Sequence, residues 1–252
     1  MHHGTVPGAH NSIVHYDSGK GSSLKKVLIK SIKNSNKSIH LRTYSFTDQD
    51  ILSALKEKGE KGVHVSILYD KKASVKLNKI QYSNIVLLPK QFVGLYHQKL
   101  WVFDQTTVFF GSTNLTPSSL EIHDNSMVGI YDPEIALSLE QNTSGSKTFE
   151  RDWGKLTYHF LPSKLALLDV LDTLDQARKK IDISLFTFTH FDIAQKLVEL
   201  AHKGIKVTVI IDRSSANGAS KKIRKFLELE GIKVKQSNGF QLFHHKRAII
   251  DD

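Results

Sequence analysis

Two segments of the chain place a histidine, a lysine and an aspartate at the same spacing. One is His97-Gln-Lys-Leu-Trp-Val-Phe-Asp104, and the other is His244-His-Lys-Arg-Ala-Ile-Ile-Asp251. An imidazole can act as a nucleophile, and an ammonium group beside it offsets negative charge on phosphate oxygens. These residue types at this spacing favour chemistry on a phosphodiester.

The first segment lies in a stretch, Leu95 to Phe103, that is apolar enough to form a β-strand. Residues two apart in a strand face the same side of a sheet. His97 and Lys99 are therefore predicted to project together, whereas Gln98 points to the other side.

A short strand and a polar turn are predicted to follow the first segment. The strand, Thr107 to Phe110, leads to Gly111, Ser112 and Asn114. A glycine allows the backbone to approach an anion closely, and the hydroxyl and amide groups are neutral hydrogen-bond donors. Ser112 and Asn114 are therefore candidate substrate-binding residues.

The combined spacing resembles the signature of the phospholipase D superfamily, His-x-Lys-x4-Asp-x6-Gly-Ser-x-Asn, which occurs twice in each active site of that family. The first copy matches throughout, and Asp124-Asn125 resembles the acidic residue and asparagine that often follow. In the second copy the Gly-Ser-x-Asn element would begin at position 258, seven residues after Asp251, and the sequence ends at Asp252. We therefore expect the chain to be a fragment cut at its C-terminal side.

The resemblance implies a two-step displacement through a covalent phosphohistidine. By family analogy, His97 is the nucleophile and His244 is the general acid. The two motif aspartates would orient the imidazole rings, and the lysines would hold the phosphoryl oxygens together with Asn114, with Ser112 in support. The predicted catalytic residues are His97, Lys99, Asp104, His244, Lys246 and Asp251.

A metal site is the alternative interpretation of the adjacent His244 and His245. Lys246 would repel a cation, and no other cluster of histidine and acidic residues has the spacing of metal ligands. We therefore predict that catalysis needs neither a metal nor another cofactor. Strand alternation places His245 on the side opposite His244.

The charge of the chain points to anionic partners. There are 35 Lys and Arg residues against 25 Asp and Glu, a formal net charge of +10. Such an excess suits phospholipid at a membrane surface, nucleic acid and phosphate alike. We favour a phospholipid hydrolase, with a metal-independent nuclease as the close alternative and a catalytically silent phosphate-binding module as the third.

An internal repeat organises the chain. Residues 39–47 and 61–70 align with residues 181–189 and 203–212, each pair separated by 142 positions. The two histidine segments align at a separation of 147 positions, from 97 to 244. We predict two similar α/β halves, residues 1–150 and 151–252, with the junction between Gln141 and Ser146.

Each half is predicted to form a mixed, mostly parallel sheet flanked by helices, because strands and helices alternate along the sequence. Asp48 is a candidate N-cap of a helix that Gly59 and Gly62 would end. Further predicted strands are residues 38–46, 63–69, 181–188 and 206–211, and further helices are residues 23–32, 163–174 and 192–202. The apolar residues of the helix over 165–174 are expected to pack in the core.

The sequence also bears on disulfides, membrane-spanning segments and secretion. The chain has no cysteine, which excludes disulfides and thiolate chemistry. No run approaches the about 20 apolar residues needed to span a bilayer. Met1-His2-His3-Gly4 lacks the features of a secretory signal. The compartment is left open, and we expect a monomer in which the two motifs pair within one chain.

Overall fold

A computed structural model of the chain describes residues 4–21, 23–79, 82–91 and 94–251. The chain divides into two compact units, Met1–Asn142 and Thr143–Asp252. This division falls within the segment 141–146 that was expected to join the two halves. The repeat boundaries themselves, residues 1–150 and 151–252, stay a prediction.

The first unit is built on one sheet. Its strands, within the described residues, are β1 (Ile13–Asp17), β2 (Ser38–Thr43), β3 (His64–Asp70), β4 (Ile85–Lys90), β5 (Lys99–Phe103), β6 (Thr107–Gly111) and β7 (Ser126–Tyr131). Its helices are α1 (Leu24–Asn34), α2 (Gln49–Glu60), α3 (Pro117–Glu121) and α4 (Pro133–Gln141). The strands lie in the order β1-β7-β6-β5-β2-β3-β4.

Strand direction in this sheet follows the length of the connections. Strands β2, β3 and β4 pair in parallel, and helix α2 makes the crossover from β2 to β3. The pairs β2–β5, β5–β6, β6–β7 and β7–β1 are antiparallel. Only residues 104–106 separate β5 from β6, and a connection that short permits only antiparallel pairing. The sheet is therefore mixed, as expected, but it is not mostly parallel.

Helices α1 and α2 cover one face of this sheet. Leu28 and Ile51 from the helices and Leu41 and Ile67 from the strands lie in one buried apolar cluster. Helix α4 packs against β5 and β6. Burying these apolar side chains contributes about 25 cal/mol per Å² removed from water and stabilises the layered arrangement.

Local signals define both ends of helix α2. The Asp48 side chain accepts a hydrogen bond from the Ile51 N–H at 3.0 Å, so the predicted N-cap is confirmed. Gly62, with φ of +86°, follows the helix in the left-handed conformation that glycine tolerates best. Gly59 instead lies inside the helix. A Cβ there would come within 2.6 Å of the Asn84 carbonyl oxygen, so its role is close packing rather than termination.

The second unit contains a hairpin and a smaller sheet. Its strands, within the described residues, are β8 (Ser146–Arg151), β9 (Gly154–His159), β10 (Lys180–Leu185), β11 (Lys206–Ile211), β12 (Lys233–Gln236) and β13 (Lys246–Ile250). Its helices are α5 (Lys164–Asp175), α6 (Phe191–His202), α7 (Arg213–Asn217) and α8 (Lys221–Leu229). Strands β8 and β9 pair with each other, and the other four lie in the order β12-β11-β10-β13.

The two sheets share a common arrangement at their centres. Strand β10 pairs in parallel with β11 and antiparallel with β13, as β2 pairs with β3 and β5. The register also corresponds, because Thr43 lies opposite Lys99 and Leu185 lies opposite Lys246. The prediction of an α/β fold with mixed sheets flanked by helices is confirmed. In the second sheet parallel pairs outnumber antiparallel ones, as expected.

Several elements differ from their predicted bounds. The strand predicted over residues 95–103 begins at Lys99, and those predicted to reach residues 46 and 188 end at Thr43 and Leu185. The residues left out of the strands form hydrogen bonds with groups other than a neighbouring strand. The Phe46 N–H, for example, donates to the Ser74 hydroxyl at 3.1 Å.

Helix α5 also departs from expectation. Leu174 is its buried residue, whereas Leu165 and Leu168 are 59% and 55% exposed. The expectation that the apolar residues of this helix pack in the core was therefore wrong for most of its length. Among the described residues, no helix combines the length and apolar character that crossing a membrane requires.

Candidate active site

The first histidine segment brings an imidazole and an ammonium group onto one aromatic ring. The His97 and Tyr44 rings meet edge to face with centroids 4.8 Å apart. The Lys99 Nζ lies 5.3 Å from the centre of the Tyr44 ring and donates to the His97 carbonyl oxygen at 3.2 Å. The alternation predicted for this segment is thus present, although His97 precedes the strand that begins at Lys99.

The neighbours of His97 face the other side. Tyr96 is buried, and its hydroxyl donates to the Gln98 side-chain oxygen at 3.1 Å. Burial raises the pKa of Tyr96 to about 12, so this phenol stays neutral at physiological pH. His97 itself is exposed.

The second segment repeats this arrangement on Phe186. The His244 ring lies 5.1 Å from the Phe186 ring, and the Lys246 Nζ lies 5.6 Å from the centre of the same ring. Lys246 also donates to the His244 carbonyl oxygen at 3.1 Å, and its Nζ lies 3.0 Å from His244 Nε2. His245 turns to the opposite side, where its ring meets that of Phe243 at 4.7 Å.

Lys246 has an unusual electrostatic setting. The residue as a whole is exposed, yet its ammonium group lies against the Phe186 ring and the His244 imidazole. Removal of this ammonium from water lowers the pKa of Lys246 to about 8. The lysine therefore carries its positive charge below about pH 8 and loses it above.

The aspartate of the first motif does not orient an imidazole. The Asp104 carboxylate accepts hydrogen bonds from the successive N–H groups of residues 36–38 at 2.7–3.1 Å. Asp104 and Gln105 have φ of 52° and 58°, in the turn that joins β5 to β6. The carboxylate thus fastens this turn to the start of β2, at the end of β5 away from His97, and the expected ring-orienting role was wrong.

The aspartate of the second motif has the same structural role. Asp251, with φ of 62°, accepts hydrogen bonds from the N–H groups of residues 178–180 at 2.7–3.0 Å. These backbone donors hold the pKa of the Asp251 carboxyl below its ordinary value. The expectation that Asp251 orients His244 was therefore wrong for the same geometric reason.

The glycine and serine after the first motif support the sheet. A Cβ on Gly111 would lie 2.2 Å from the Ser126 carbonyl oxygen, so this position needs glycine because β7 approaches closely. The Ser112 hydroxyl donates to Asn125 Oδ1 at 2.8 Å and accepts from the Ser126 N–H at 3.1 Å. Its donor is already used, which argues against the predicted contact of Ser112 with a substrate.

Asn114 retains a group that a ligand can satisfy. Its backbone N–H donates to the Ser119 hydroxyl at 2.9 Å, whereas its buried Oδ1 has no hydrogen-bond partner within the described part of the chain. Exchange of the amide oxygen and nitrogen by a half-turn would place a donor at the same position. Asn114 therefore remains the stronger of the two candidate substrate-binding residues.

Comparison with known proteins then identifies the family. The chain matches the family described as "Cardiolipin synthase, PLD-like domain" over residues 28–153 and 170–252. It belongs to the phospholipase D superfamily.

Curated relatives within the superfamily cover part of the chain. A mitochondrial cardiolipin hydrolase of Chlamydomonas reinhardtii is 38% identical over 94 residues, 37% of this chain and 41% of that protein. A phospholipase D of Rickettsia bellii (strain RML369-C) is 30% identical over 125 residues, 48% of this chain and 62% of that protein. The chain thus spans less than two thirds of the length of either relative.

A solved structure extends the likeness in fold. Phosphatidylserine synthase of Haemophilus influenzae Rd KW20 aligns with 98% of this chain and 77% of its own, with a TM-score of 0.69 and 16% identity. At that identity the likeness concerns the fold alone.

The sequence analysis did not identify the two aromatic residues that contact the histidine and lysine of each motif. Tyr44 and Phe186 occupy the same place in the two repeats, 142 positions apart. The aligned repeats were the available signal, because these rings come directly after the shared pattern of β2 and β10. No group of three or more histidine, cysteine or acidic side chains suited to a metal occurs among the described residues.

Proposed function

We propose that the chain is a phosphodiesterase that hydrolyses phospholipids through a covalent phosphohistidine. The observation that carries this proposal is the repeated packing of a histidine and a lysine on one aromatic ring, in a chain of the phospholipase D superfamily. Each arrangement offers an imidazole beside a cation, which are the groups that attack on a phosphodiester requires.

The reaction divides between the two histidines. His97 attacks phosphorus as the neutral imidazole, and the P–O bond to the leaving alcohol breaks as His244 gives that oxygen a proton. Water then attacks the phosphohistidine, His244 takes a proton from it, and the P–N bond to His97 breaks. The assignment of His97 as nucleophile rests on family analogy.

Two lysines and one amide stabilise the phosphoryl group. Lys99 and Lys246 offset the charge on the non-bridging oxygens, and Asn114 donates a hydrogen bond. Removing one such donor typically costs about 3–4 kcal/mol of transition-state stabilisation. Lysine ammonium groups can supply the charge that a divalent metal supplies in many phosphodiesterases, so we propose that no metal is needed.

Phospholipid is favoured as substrate because the relatives named mitochondrial cardiolipin hydrolase and phospholipase D share 38% and 30% identity with the matched segments. The net charge of +10 suits an anionic lipid surface and equally suits nucleic acid.

The test compares the purified chain on vesicles of phosphatidylcholine, vesicles of cardiolipin, and single-stranded DNA. Lipid hydrolysis that His97→Ala and His244→Ala each abolish is the expected result. Cleavage of DNA alone would make the chain a nuclease. Binding of phosphate without turnover of any substrate would make it a phosphate-binding module.

Chelation tests the absence of a metal. Activity is expected to survive excess EDTA, because Lys99 and Lys246 carry the required positive charge. Loss of turnover on chelation, with recovery on adding Mg²⁺ or Zn²⁺, would contradict the mechanism.

A further inference from the structure

Two aspartates outside the motifs each accept a hydrogen bond from the backbone N–H immediately before one of the motif histidines. Asp70 ends β3, and its Oδ2 accepts a hydrogen bond from the Tyr96 N–H at 2.9 Å. Asp212 follows β11, and its Oδ2 accepts from the Phe243 N–H at 2.9 Å. The residues that follow these two amides are the two motif histidines.

The rest of each carboxylate is fixed by the turn after its strand. Asp70 Oδ1 accepts from the N–H groups of Lys72 and Ala73, both at 2.9 Å. Asp212 Oδ1 accepts from the N–H groups of Ser214 and Ser215 at 2.9 and 3.3 Å. One oxygen of each aspartate thus holds a turn, and the other holds the histidine segment.

Both carboxylates are buried and remain ionised. Asp70 and Asp212 are 4% and 3% exposed. Burial by itself raises the pKa of each, but the hydrogen bonds that each accepts outweigh this effect and bring the pKa below its ordinary value. Charge-assisted bonds to N–H groups are shorter and stronger than neutral ones, so these are firm attachments.

The same hydrogen bond forms in both units although the connections between the paired residues differ in length and in content. Asp70 and Tyr96 are 26 positions apart, whereas Asp212 and Phe243 are 31 positions apart. Connections that differ in this way would not by themselves bring their last residue to the same place. The aspartate therefore sets where each histidine segment enters its strand.

We propose that Asp70 and Asp212 are positioning residues of His97 and His244, which they act on through the backbone immediately before each histidine. Holding the amide before the histidine fixes the stretch of backbone from which the histidine side chain extends toward Tyr44 in one unit and Phe186 in the other. This inference rests on the proposed phosphodiesterase function for its catalytic consequence, but its geometric part is independent of activity.

Asparagine substitutions break one attachment and keep the other. In Asp70→Asn the amide oxygen can still accept from Lys72 and Ala73, which leaves the NH₂ group facing the Tyr96 N–H. Two donors then oppose each other, and the histidine segment is released while the turn is kept. Asp212→Asn makes the same change in the second unit.

The catalytic readout is the division between kcat and KM. Misplacing a reacting group by about 1 Å can cost on the order of 10²-fold in rate, so kcat is expected to fall 10- to 100-fold. KM is expected to change little, because Lys99 and Asn114 still bind the phosphate. Asp132→Asn is the matched control, since Asp132 Oδ1 accepts hydrogen bonds from the Glu134 and Ile135 N–H groups of its own turn, each at 3.0 Å, and an asparagine oxygen can accept both.

The structural readout needs no turnover. A nuclear Overhauser contact between the His97 and Tyr44 rings is expected in the wild type and expected to be lost in Asp70→Asn. Hydrogen exchange at the Tyr96 amide should speed up in the same variant. A retained ring contact, or an unchanged kcat with the amide released, would overturn the proposal.

If Asp70→Asn does not fold, Asp212→Asn with the His244 and Phe186 rings gives the same decision. A wild type that shows the ring contacts but hydrolyses no phosphodiester would refute the proposed function and leave the geometric part to these measurements.

Discussion

At the scale of single residues, each motif histidine and lysine depend on an aromatic ring that belongs to neither motif. In the first unit that ring is Tyr44, and in the second it is Phe186. A cation near a ring face gains about 0.5–2 kcal/mol, depending on how far it is withdrawn from water. Because phenylalanine serves in the second unit, the ring rather than the hydroxyl carries this contact.

The repeat itself therefore supplies a matched pair of substitutions at position 44. Tyr44→Phe is expected to keep kcat within about twofold, whereas Tyr44→Ala should lower it about tenfold, the factor that corresponds to about 1.4 kcal/mol. Steady-state kinetics of both variants, with circular dichroism to confirm folding, make the comparison. Equal loss in both variants would assign the effect to the hydroxyl instead.

The pKa of Lys246, about 8, gives a prediction with a definite sign. The ammonium is charged below this pH, so its stabilisation of the phosphoryl group is present there and is lost as pH rises through about 8. Arginine keeps its charge throughout this range. Lys246→Arg is therefore expected to be slower at neutral pH but to lose less of its own activity between pH 7 and 9.

Rate profiles of the wild type and Lys246→Arg against pH measure this difference. Lys235→Arg, a substitution of an exposed lysine on β12, serves as the control and should leave the profile unchanged. Coincident alkaline limbs for the wild type and Lys246→Arg would show that another group sets the limb.

At the scale of elements, the aspartate that ends each motif links two segments of backbone through hydrogen bonds to its carboxylate. Asp104 joins the β5–β6 turn to residues 36–38, at the start of β2, and Asp251 joins the end of β13 to residues 178–180, at the start of β10. These contacts align the motif strand with its antiparallel neighbour. The equal spacing of seven positions in the two motifs thus gives both units the same length of strand between the histidine and the aspartate.

Substitutions at Asp104 separate this structural role from catalysis. Asp104→Gly tolerates the φ of 52° but removes the acceptor, and we expect it to lower the free energy of unfolding by about 1–2 kcal/mol. Asp104→Asn keeps one acceptor and should lose less. Denaturant unfolding measures both, and activity per folded molecule is expected to stay near the wild-type value. A large fall in kcat with unchanged stability would restore a catalytic role to Asp104.

At the scale of the whole molecule, two units with related sheets each carry one copy of the histidine–lysine motif. The two units have corresponding strand pairings, and each contains its own buried apolar cluster. The first sheet is larger, with seven strands against four within the described residues. A reaction that needs both histidines therefore needs both units.

Mixing two inactive variants tests whether the histidines act within one chain. His97→Ala keeps the second unit intact, and His244→Ala keeps the first. The mixture is expected to stay inactive, because we expect both histidines of a working site to come from one chain. Recovery of up to about a quarter of wild-type turnover in the mixture, together with a dimer on size-exclusion chromatography, would show instead that the histidines pair between chains.

The sequence by itself determined the repeat, the family and the shared orientation of the first motif's histidine and lysine. The 142-position repeat predicted matching elements, and β11 and the Asp48 cap agree with their predicted places. Alternation placed His97 with Lys99 correctly. These features are local, or repeat at fixed intervals, so residue type and spacing are enough to indicate them.

Only the tertiary structure decided which groups surround each motif. The Asp104 carboxylate meets amides 66–68 positions earlier in the chain, and the Asp70 carboxylate meets an amide 26 positions later. The ring of Tyr44 meets His97 only because β2 and β5 are neighbours in the sheet. Spacing along a chain carries no information on such partners, because a buried carboxylate accepts from whichever N–H groups the packed strands bring to it.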